Sequence, residues 1–306
     1  MARPRLTVVI VARRRPAGLI TAARSAFHQG GLEPGVTEIV IVGADEAGWS
    51  AGVAAGLAEE TTVPVAHIPA PRGSAAFARN AGLAAARGAF VAFLDDDQEA
   101  SPAWLTHLIE AQARHDADVV FGPVTARLPR GLGAHRPYLD RFFSRRGPGV
   151  DGLTVHLYGA GGALIRRAAL PDPEAAFPVA RGQAADDVLF AKMRAAGARF
   201  AWAPRGWIWQ APDYGSLNLR YAIRRAFVLG QAPASARAIA CPPDRLGVAE
   251  TMAAGAAQAV VFGLIAVAKW FVGAKSWVDS LDRAARGLGM TFWWGPFRPR
   301  LEGGGH

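Results

Sequence analysis

Four short apolar runs, residues 6–12, 38–42, 65–68 and 90–94, are separated by amphipathic stretches across the first third of the chain. Each run is nearly continuous in apolar residues, and such a strand has to be covered on both faces, as strands of a parallel sheet are. The intervening stretches have helical spacing. Leu19, Ala23, Ala26 and Phe27 share one face of residues 16–29, and Ala78, Ala81 and Ala85 share one face of residues 75–87. This alternation predicts an α/β fold, a mostly parallel central sheet flanked by helices. A third helix is predicted after Ser101-Pro102, a capping hydroxyl followed by proline at the first helical position, with Trp104, Leu105, Leu108, Ile109 and Ala111 on its buried side.

Residues 118–123 read as a further strand, and residues 126–152, rich in arginine, glycine and proline, as a loop or a substrate-facing insertion. Order is expected again at 155–159, followed by a glycine turn, a strand at 163–165, a helix at 185–196 ended by Gly197, and a strand at 199–203. The character changes near Gly247. Residues 251–268 carry no charge and only Gln258 as a strongly polar side chain, and the interface-like cluster Lys269-Trp270-Phe271 follows. This stretch is short for a span and rich in alanine and glycine, so a buried or membrane-surface helix and a true crossing both stand. The terminal residues 301–306 read as a tail.

The 306 residues are about half apolar, enough for a sizeable core, and the net charge of +9 is nearly all arginine. The partner should therefore be anionic. An anionic membrane surface and a phosphorylated small molecule both fit; no recognisable module supports nucleic acid, which is not expected. The single cysteine, Cys241, excludes a disulfide framework or a multi-cysteine zinc site and reads as a loop thiol in a reducing compartment. Residues 1–6 lack the features of a signal peptide, so the catalytic part is expected to face the cytosol.

Asp95-Asp96-Asp97 directly follows the apolar run ending at Leu94, which puts three acids at the carboxyl edge of the sheet, where open α/β folds bind ligands. Alternate side chains of an extended chain share a face, so Asp95 and Asp97 can converge on one cation while Asp96 points away. Such oxygen ligands suit Mn²⁺ or Mg²⁺, completed by substrate phosphates. Taken alone, the triplet reads first as an acidic turn capping the next helix. A second pair, Asp186-Asp187, opens a helix, where the dipole favours a carboxylate.

The order of the motifs resembles that of the family 2 glycosyltransferases. The resemblance rests on Thr7-Val8-Val9-Ile10-Val11-Ala12-Arg13-Arg14-Arg15-Pro16, on Gly73-Ser74 and Ala78-Arg79-Asn80-Ala81-Gly82, and on the acid triplet. It continues through Tyr158-Gly159-Ala160-Gly161-Gly162, then Gly182 and Asp186-Asp187, and Met193 to Gly197. Leu94 to Glu99 and Val119 to Val124 are similar to the succinoglycan-type exopolysaccharide enzymes. The resemblance implies a GT-A fold with a nucleotide-binding half at 1–124 and an acceptor half at 125–230. A helical, possibly membrane-associated region follows at 231–306.

It further implies inverting, metal-dependent transfer from a nucleotide-sugar, with a uridine diphosphate donor leading, to a lipid-linked or polysaccharide acceptor at the cytoplasmic face of the inner membrane. Mn²⁺ or Mg²⁺ would sit on Asp97 and Asp95. Val11, Ala12, Arg13, Asp45, Arg79, Asn80, Asp95, Asp96, Gly161 and Arg224 would line the nucleotide-sugar site. Asp187 would be the base that deprotonates the acceptor hydroxyl, with Asp186 in place of the usual glutamate. One base opposite the leaving group suffices for a single, inverting displacement.

The chain departs from the family at several positions: Val11-Ala12 replaces proline-threonine, Gly43-Ala44 precede Asp45, Gly162 replaces asparagine, and Gln210 replaces a histidine. These departures leave a catalytically impaired sugar-nucleotide- or membrane-binding relative as the alternative. The basic stretch Arg220 to Phe227 suits either closure over a diphosphate or contact with anionic headgroups.

Overall fold

The computed structural model describes residues 5–13, 15–30, 36–45, 48–70, 75–178, 185–238 and 242–297. Arg14, Gly73, Ser74, Gly182, Cys241 and the 301–306 tail lie outside the described residues.

The amino-terminal part alternates β1 (Leu6–Ala12), α1 (Pro16–Phe27), β2 (Thr37–Gly43), α2 (Trp49–Glu59), β3 (Val65–Pro69), α3 (Ala75–Ala85) and β4 (Phe90–Asp95). The four strands are parallel neighbours in the order β3-β2-β1-β4. Alternation along β1 divides the core. Val8 and Ile10 join the cluster under α1, whereas Val9 and Val11 join the cluster under α3. Both faces of β1 are thus dry, as its nearly continuous apolar run requires.

The chain then adds β5 (Gln98–Ala100), α4 (Trp104–His115), β6 (Val119–Phe121), β7 (Val124–Ala126), α5 (Arg136–Phe143), β8 (Gly152–Leu153), β9 (Leu164–Arg166), α6 (Ala185–Ala195), β10 (Phe200–Trp202) and β11 (Ile208–Gln210). The main sheet continues β4-β9-β6-β10-β8, with β9 antiparallel to both its neighbours and β8 antiparallel to β10. A second small sheet, β5-β11-β7, crosses beneath the acid triplet and carries Gln210 to it.

Three local expectations are corrected. Ser101 does not cap the third helix: its amide donates to the Trp207 carbonyl at 3.1 Å, which continues the β5–β11 pairing, and α4 begins only at Trp104 behind Ala103. Residues 126–152 are not all loop, because α5 forms there and buries Tyr138 and Leu139 against Ala222 and Val278. Residues 155–159 run as irregular chain rather than as a strand.

The C-terminal part is helical: α7 (Leu219–Gly230), α8 (Ala232–Ala238), α9 (Arg245–Phe271) and α10 (Trp277–Thr291). Small residues let α9 and α10 lie backbone to backbone. A Cβ at Gly255 would stand 2.6 Å from the Gly287 carbonyl oxygen, and one at Gly287 would stand 2.7 Å from the Ala259 amide. In turn α10 is fastened to α5, with Arg141 on Asp279 at 2.6 Å and the Tyr138 hydroxyl donating to Asp282 at 2.9 Å. The 27-residue α9 has a mean hydropathy of 1.8 over its most apolar 18-residue window, and only 17% of that window is buried. Val260, Leu264, Val267 and Phe271 project from it at helical spacing into solvent.

Candidate active site

The carboxyl edge of β1 and β4 opens into a cleft of about 470 Å³ lined by Arg13, Arg15, Arg79, Asp95, Asp96, Asp97, Phe142, Phe143, Gln210, Tyr221 and Arg225, among others. The three consecutive acids take three different tasks. Asp96 is buried and accepts hydrogen bonds from the backbone amides of Arg13 at 2.7 Å and Arg15 at 3.2 Å, so it ties the β1–α1 turn to the end of β4. Its own amide donates to the Val11 carbonyl. Asp95 meets Arg79 Nη2 at 3.4 Å, and Asp97 accepts from Gln210 Nε2 at 3.1 Å.

Burial raises both outer carboxyls above the usual range, and neighbouring negative charge adds to it; Asp97 is pushed up to about 7. A divalent cation would relieve that cost, so the pair fits one. Among the described residues no group of three His, Cys, Asp or Glu side chains could hold a metal without other ligands. Donor phosphates would have to complete the shell, as is usual for Mg²⁺. The cleft also offers Arg13, whose buried Nη2 has no hydrogen-bond partner and suits a phosphate oxygen.

Arg79 joins this edge to the second acidic site. Nearly buried on α3, its guanidinium donates to Asp186 at 2.5 Å while reaching Asp95 from its other arm. The remaining Asp186 oxygen accepts from the Ala160 amide at 2.8 Å. Asp186 is therefore fully engaged in holding α6 and the glycine loop to the cleft. Asp187, half-buried one residue on, has no hydrogen-bond or ion-pair partner among the described residues. Burial raises its carboxyl, the negative charge of Asp186 adds to this, and Arg225 opposes it.

The glycine loop is set by close approach. A Cβ on Gly161 would stand 2.7 Å from Gln98 Nε2, and Gly162 adopts φ +74°, the left-handed region that glycine and asparagine tolerate best. The replacement of asparagine by glycine there preserves the backbone. Arg145, unmarked in the sequence, clamps the loop by donating to the carbonyls of Gly122, Gly159 and Gly161, and its burial lowers the guanidinium to about 10.

Other expected site residues lie elsewhere. Asn80 exchanges both amide groups with the backbone of Phe177, at 2.8 and 2.9 Å, and does not line the cleft. Arg224 lines a separate cavity with Ile223, Phe227, Ala285 and Leu288, and its neighbour Arg225 lines the cleft instead. Val11 and Ala12 are buried and can offer only backbone. Asp45 at the end of β2 accepts from the Ser50 hydroxyl and amide, and that hydroxyl also meets His67 Nε2 at 2.9 Å. Burial acts to raise Asp45, but the Ser50 hydrogen bonds outweigh it and hold the carboxyl below its usual value.

Residues 7–172, more than half of the chain, match the model of glycosyl transferase family 2. The chain belongs to this family. Among family relatives it is 30% identical over 199 residues to the succinoglycan biosynthesis protein ExoM of Rhizobium meliloti (strain 1021), covering 63% of this chain and 62% of that protein, so it spans somewhat under two thirds of that relative's length. Family folds recur among solved structures. The mannosyltransferase PcManGT of Pyrobaculum calidifontis, in complex with GDP-Man and Mn²⁺, superposes with a TM-score of 0.65 at 17% identity, covering 96% of this chain and 88% of that one. TarS 1-349 of S. aureus in complex with UDP-GlcNAc gives 0.55 at 16% identity, covering 80% and 69%. The fold is thus the mixed α/β, GT-A type of glycosyltransferase, with one long apolar C-terminal helix as a candidate membrane segment.

Proposed function

We propose that this protein is an inverting, metal-dependent glycosyltransferase that moves a sugar from a nucleotide-sugar to a lipid-linked or polysaccharide acceptor in envelope glycan synthesis. The observation that carries the reading is the Arg79 bridge. It joins the donor edge at Asp95 to the α6 start at Asp186 and leaves Asp187 as the α6 acid with no hydrogen bond among the described residues. A carboxylate raised by burial is a stronger base than a solvated one. In this reading Asp187 takes the proton from the acceptor hydroxyl as its oxygen bonds to the anomeric carbon. The bond to the diphosphate oxygen breaks on the opposite face, and the centre inverts.

Asp97 and Asp95, with the donor phosphates, would hold Mn²⁺ or Mg²⁺, which supplies charge neutralisation to the departing diphosphate. Arg13, Arg15 and Arg225 line the same cleft and suit its remaining phosphate oxygens. A uridine diphosphate donor is the first choice. The resemblance to ExoM supports an exopolysaccharide acceptor.

The C-terminal hairpin supports attachment to the membrane surface rather than a crossing. The charged α10 runs along one face of α9 and is pinned to α5, so α9 presents its opposite, exposed face to lipid. The cytoplasmic face of the inner membrane is the expected setting. The test is a panel of nucleotide-sugars incubated with the full chain and Mn²⁺. Release of nucleoside diphosphate from at least one donor supports transfer activity, and binding without any turnover would favour the impaired relative.

A further inference from the structure

The C-terminal hairpin reaches the cleft through α5, a helix of eight residues on which only Tyr138 and Leu139 are buried. So short a helix has little stability of its own, and what it leans on decides where it lies. Two carboxylates of α10 hold its far side. The Tyr138 hydroxyl donates to Asp282 at 2.9 Å, and Arg141 donates to Asp279 at 2.6 Å. Burial, with the charge of Asp282 adding to it, pushes the Tyr138 hydroxyl well above the usual tyrosine range, so it stays a donor. The Arg141–Asp279 pair is open to solvent, where an ion pair adds little stability; what it contributes is placement.

Two lines of contact lead from α5 to the site. The first is aromatic: the Tyr138 ring packs on Phe142 at 5.9 Å between centroids, Phe142 on Phe143 at 5.0 Å, and Phe143 on Tyr221 at 6.4 Å. Phe142, Phe143 and Tyr221 all line the donor cleft, whereas Tyr138 and Arg141 do not. The second runs along the chain that leaves α5. The Ser144 hydroxyl accepts from the Ala126 amide at 3.1 Å, and Arg145 exchanges backbone hydrogen bonds with Val124 at 2.8 and 3.0 Å. The Arg145 guanidinium then donates to the carbonyls of Gly159 and Gly161, at 2.7 and 2.8 Å. Between those two glycines the Ala160 amide donates to Asp186, the neighbour of Asp187.

We infer that Tyr138 and Arg141 are positioning residues of the active site: pinned by Asp282 and Asp279, they fix α5 and, through Arg145, the glycine loop that holds Asp186 and with it Asp187. The C-terminal hairpin is then a working part of the site as well as an attachment. The coupling of α10 to the loop stands on geometry alone, and its effect on turnover rests on the glycosyltransferase reading.

The test uses the full chain with Mn²⁺ as wild type, Tyr138→Phe/Arg141→Ala, Arg141→Asp, and the charge swap Arg141→Asp/Asp279→Arg. Amide hydrogen exchange is followed across residues 157–163, and nucleoside diphosphate release is measured with a nucleotide-sugar of the donor panel that the wild type turns over. In Tyr138→Phe/Arg141→Ala the loop should exchange about fivefold faster or more, while β1 to β4 keep wild-type exchange. Its kcat should fall by a similar factor with the donor KM within about twofold of wild type. Arg141→Asp should behave alike, and the swap should recover most of both readouts. Unchanged loop exchange in Tyr138→Phe/Arg141→Ala overturns the inference, as does wild-type kcat in the presence of faster loop exchange. Losses that extend to β1 to β4 and to the donor KM, or that the swap leaves in place, also overturn it, because they mark general destabilisation. If the wild type releases nucleoside diphosphate from no donor, the glycosyltransferase reading alone fails, and loop exchange still decides the coupling.

Discussion

Arg79 donates to Asp186 at 2.5 Å and to Asp95 at 3.4 Å, so one nearly buried guanidinium ties the two acidic sites that the sequence separates by about ninety residues. The bridge divides labour at each site. Asp186 and Asp96 are engaged by backbone and guanidinium donors, Asp97 accepts from the Gln210 side chain, and Asp187 has no hydrogen-bond partner among the described residues. Removing one member of such a pair leaves the others as uncompensated buried charges.

Arg79→Ala should therefore destabilise the protein by about 3 kcal/mol, in line with the loss of one partner of a buried ion pair. It should also weaken nucleotide-sugar binding. Arg79→Lys should recover little of either, because a single ammonium cannot serve both carboxylates. Urea unfolding with parallel donor titrations checks both effects; wild-type stability in Arg79→Ala would remove the bridge from the account.

Burial, with the negative charge of Asp95 adding to it, pushes the Asp97 carboxyl up to about 7, well above the usual carboxylate range. The folded protein therefore holds this proton more tightly than the unfolded chain does, and the group's contribution to metal-free stability is full below about pH 4 and lost as pH rises to 7. A cation must displace the proton, so Mn²⁺ affinity should fall about tenfold per pH unit below 7. Asp97→Asn should raise the melting temperature of the metal-free protein at pH 8 and abolish Mn²⁺ binding. Calorimetric Mn²⁺ titrations at pH 5.5, 6.5 and 7.5 test the slope, and a flat affinity would contradict the assignment.

The outer stripe of α9 is offered as the membrane contact. Leu264→Asp/Val267→Asp should cut sedimentation with phosphatidylglycerol-containing vesicles at least tenfold, since about 1–2 kcal/mol of apolar burial is lost with each side chain. Nucleotide-sugar binding should be unaltered. Undiminished vesicle binding would place the contact elsewhere.

Much of the donor half was legible because β1, β2 and β4 are buried on both faces and the helices have clear stripes: β1 to β4 and α1 fall where the sequence pattern predicts. The second sheet was not, because β5, β7 and β11 have three residues each and carry no period. Helix α5 hides in a stretch whose glycine and proline read as loop, and its burial depends on α7 and α10, far along the chain. At the site, the acids could be found from their motifs, but their division of labour could not. Whether Asp186 or Asp187 is the engaged one depends on Arg79 and the Ala160 amide, which only folding supplies. In the same way, Arg224 and Arg225 are adjacent on one helix, and only the packing of α7 against α10 decides which faces the cleft. Arg145 has no motif to mark it.

Asp186→Asn should separate the two acids of α6. With one charge on the Arg79 bridge removed, it should lower stability by about 1–3 kcal/mol and loosen the loop at Ala160, impairing turnover through structure. Unfolding midpoints compared with turnover in Asp186→Asn and Asp186→Glu test this; a fully stable yet inactive Asp186→Asn would make Asp186 the base.

The most direct test of the account pairs donor binding with turnover in Asp187→Asn. With Mn²⁺ and the donor selected from the panel, the variant should bind that donor within about twofold of wild type and lose roughly 10²–10⁴-fold in transfer, the usual range for removal of a general base. Transfer within a few-fold of wild type, or loss of donor binding together with transfer, would contradict the assignment of Asp187 as the base.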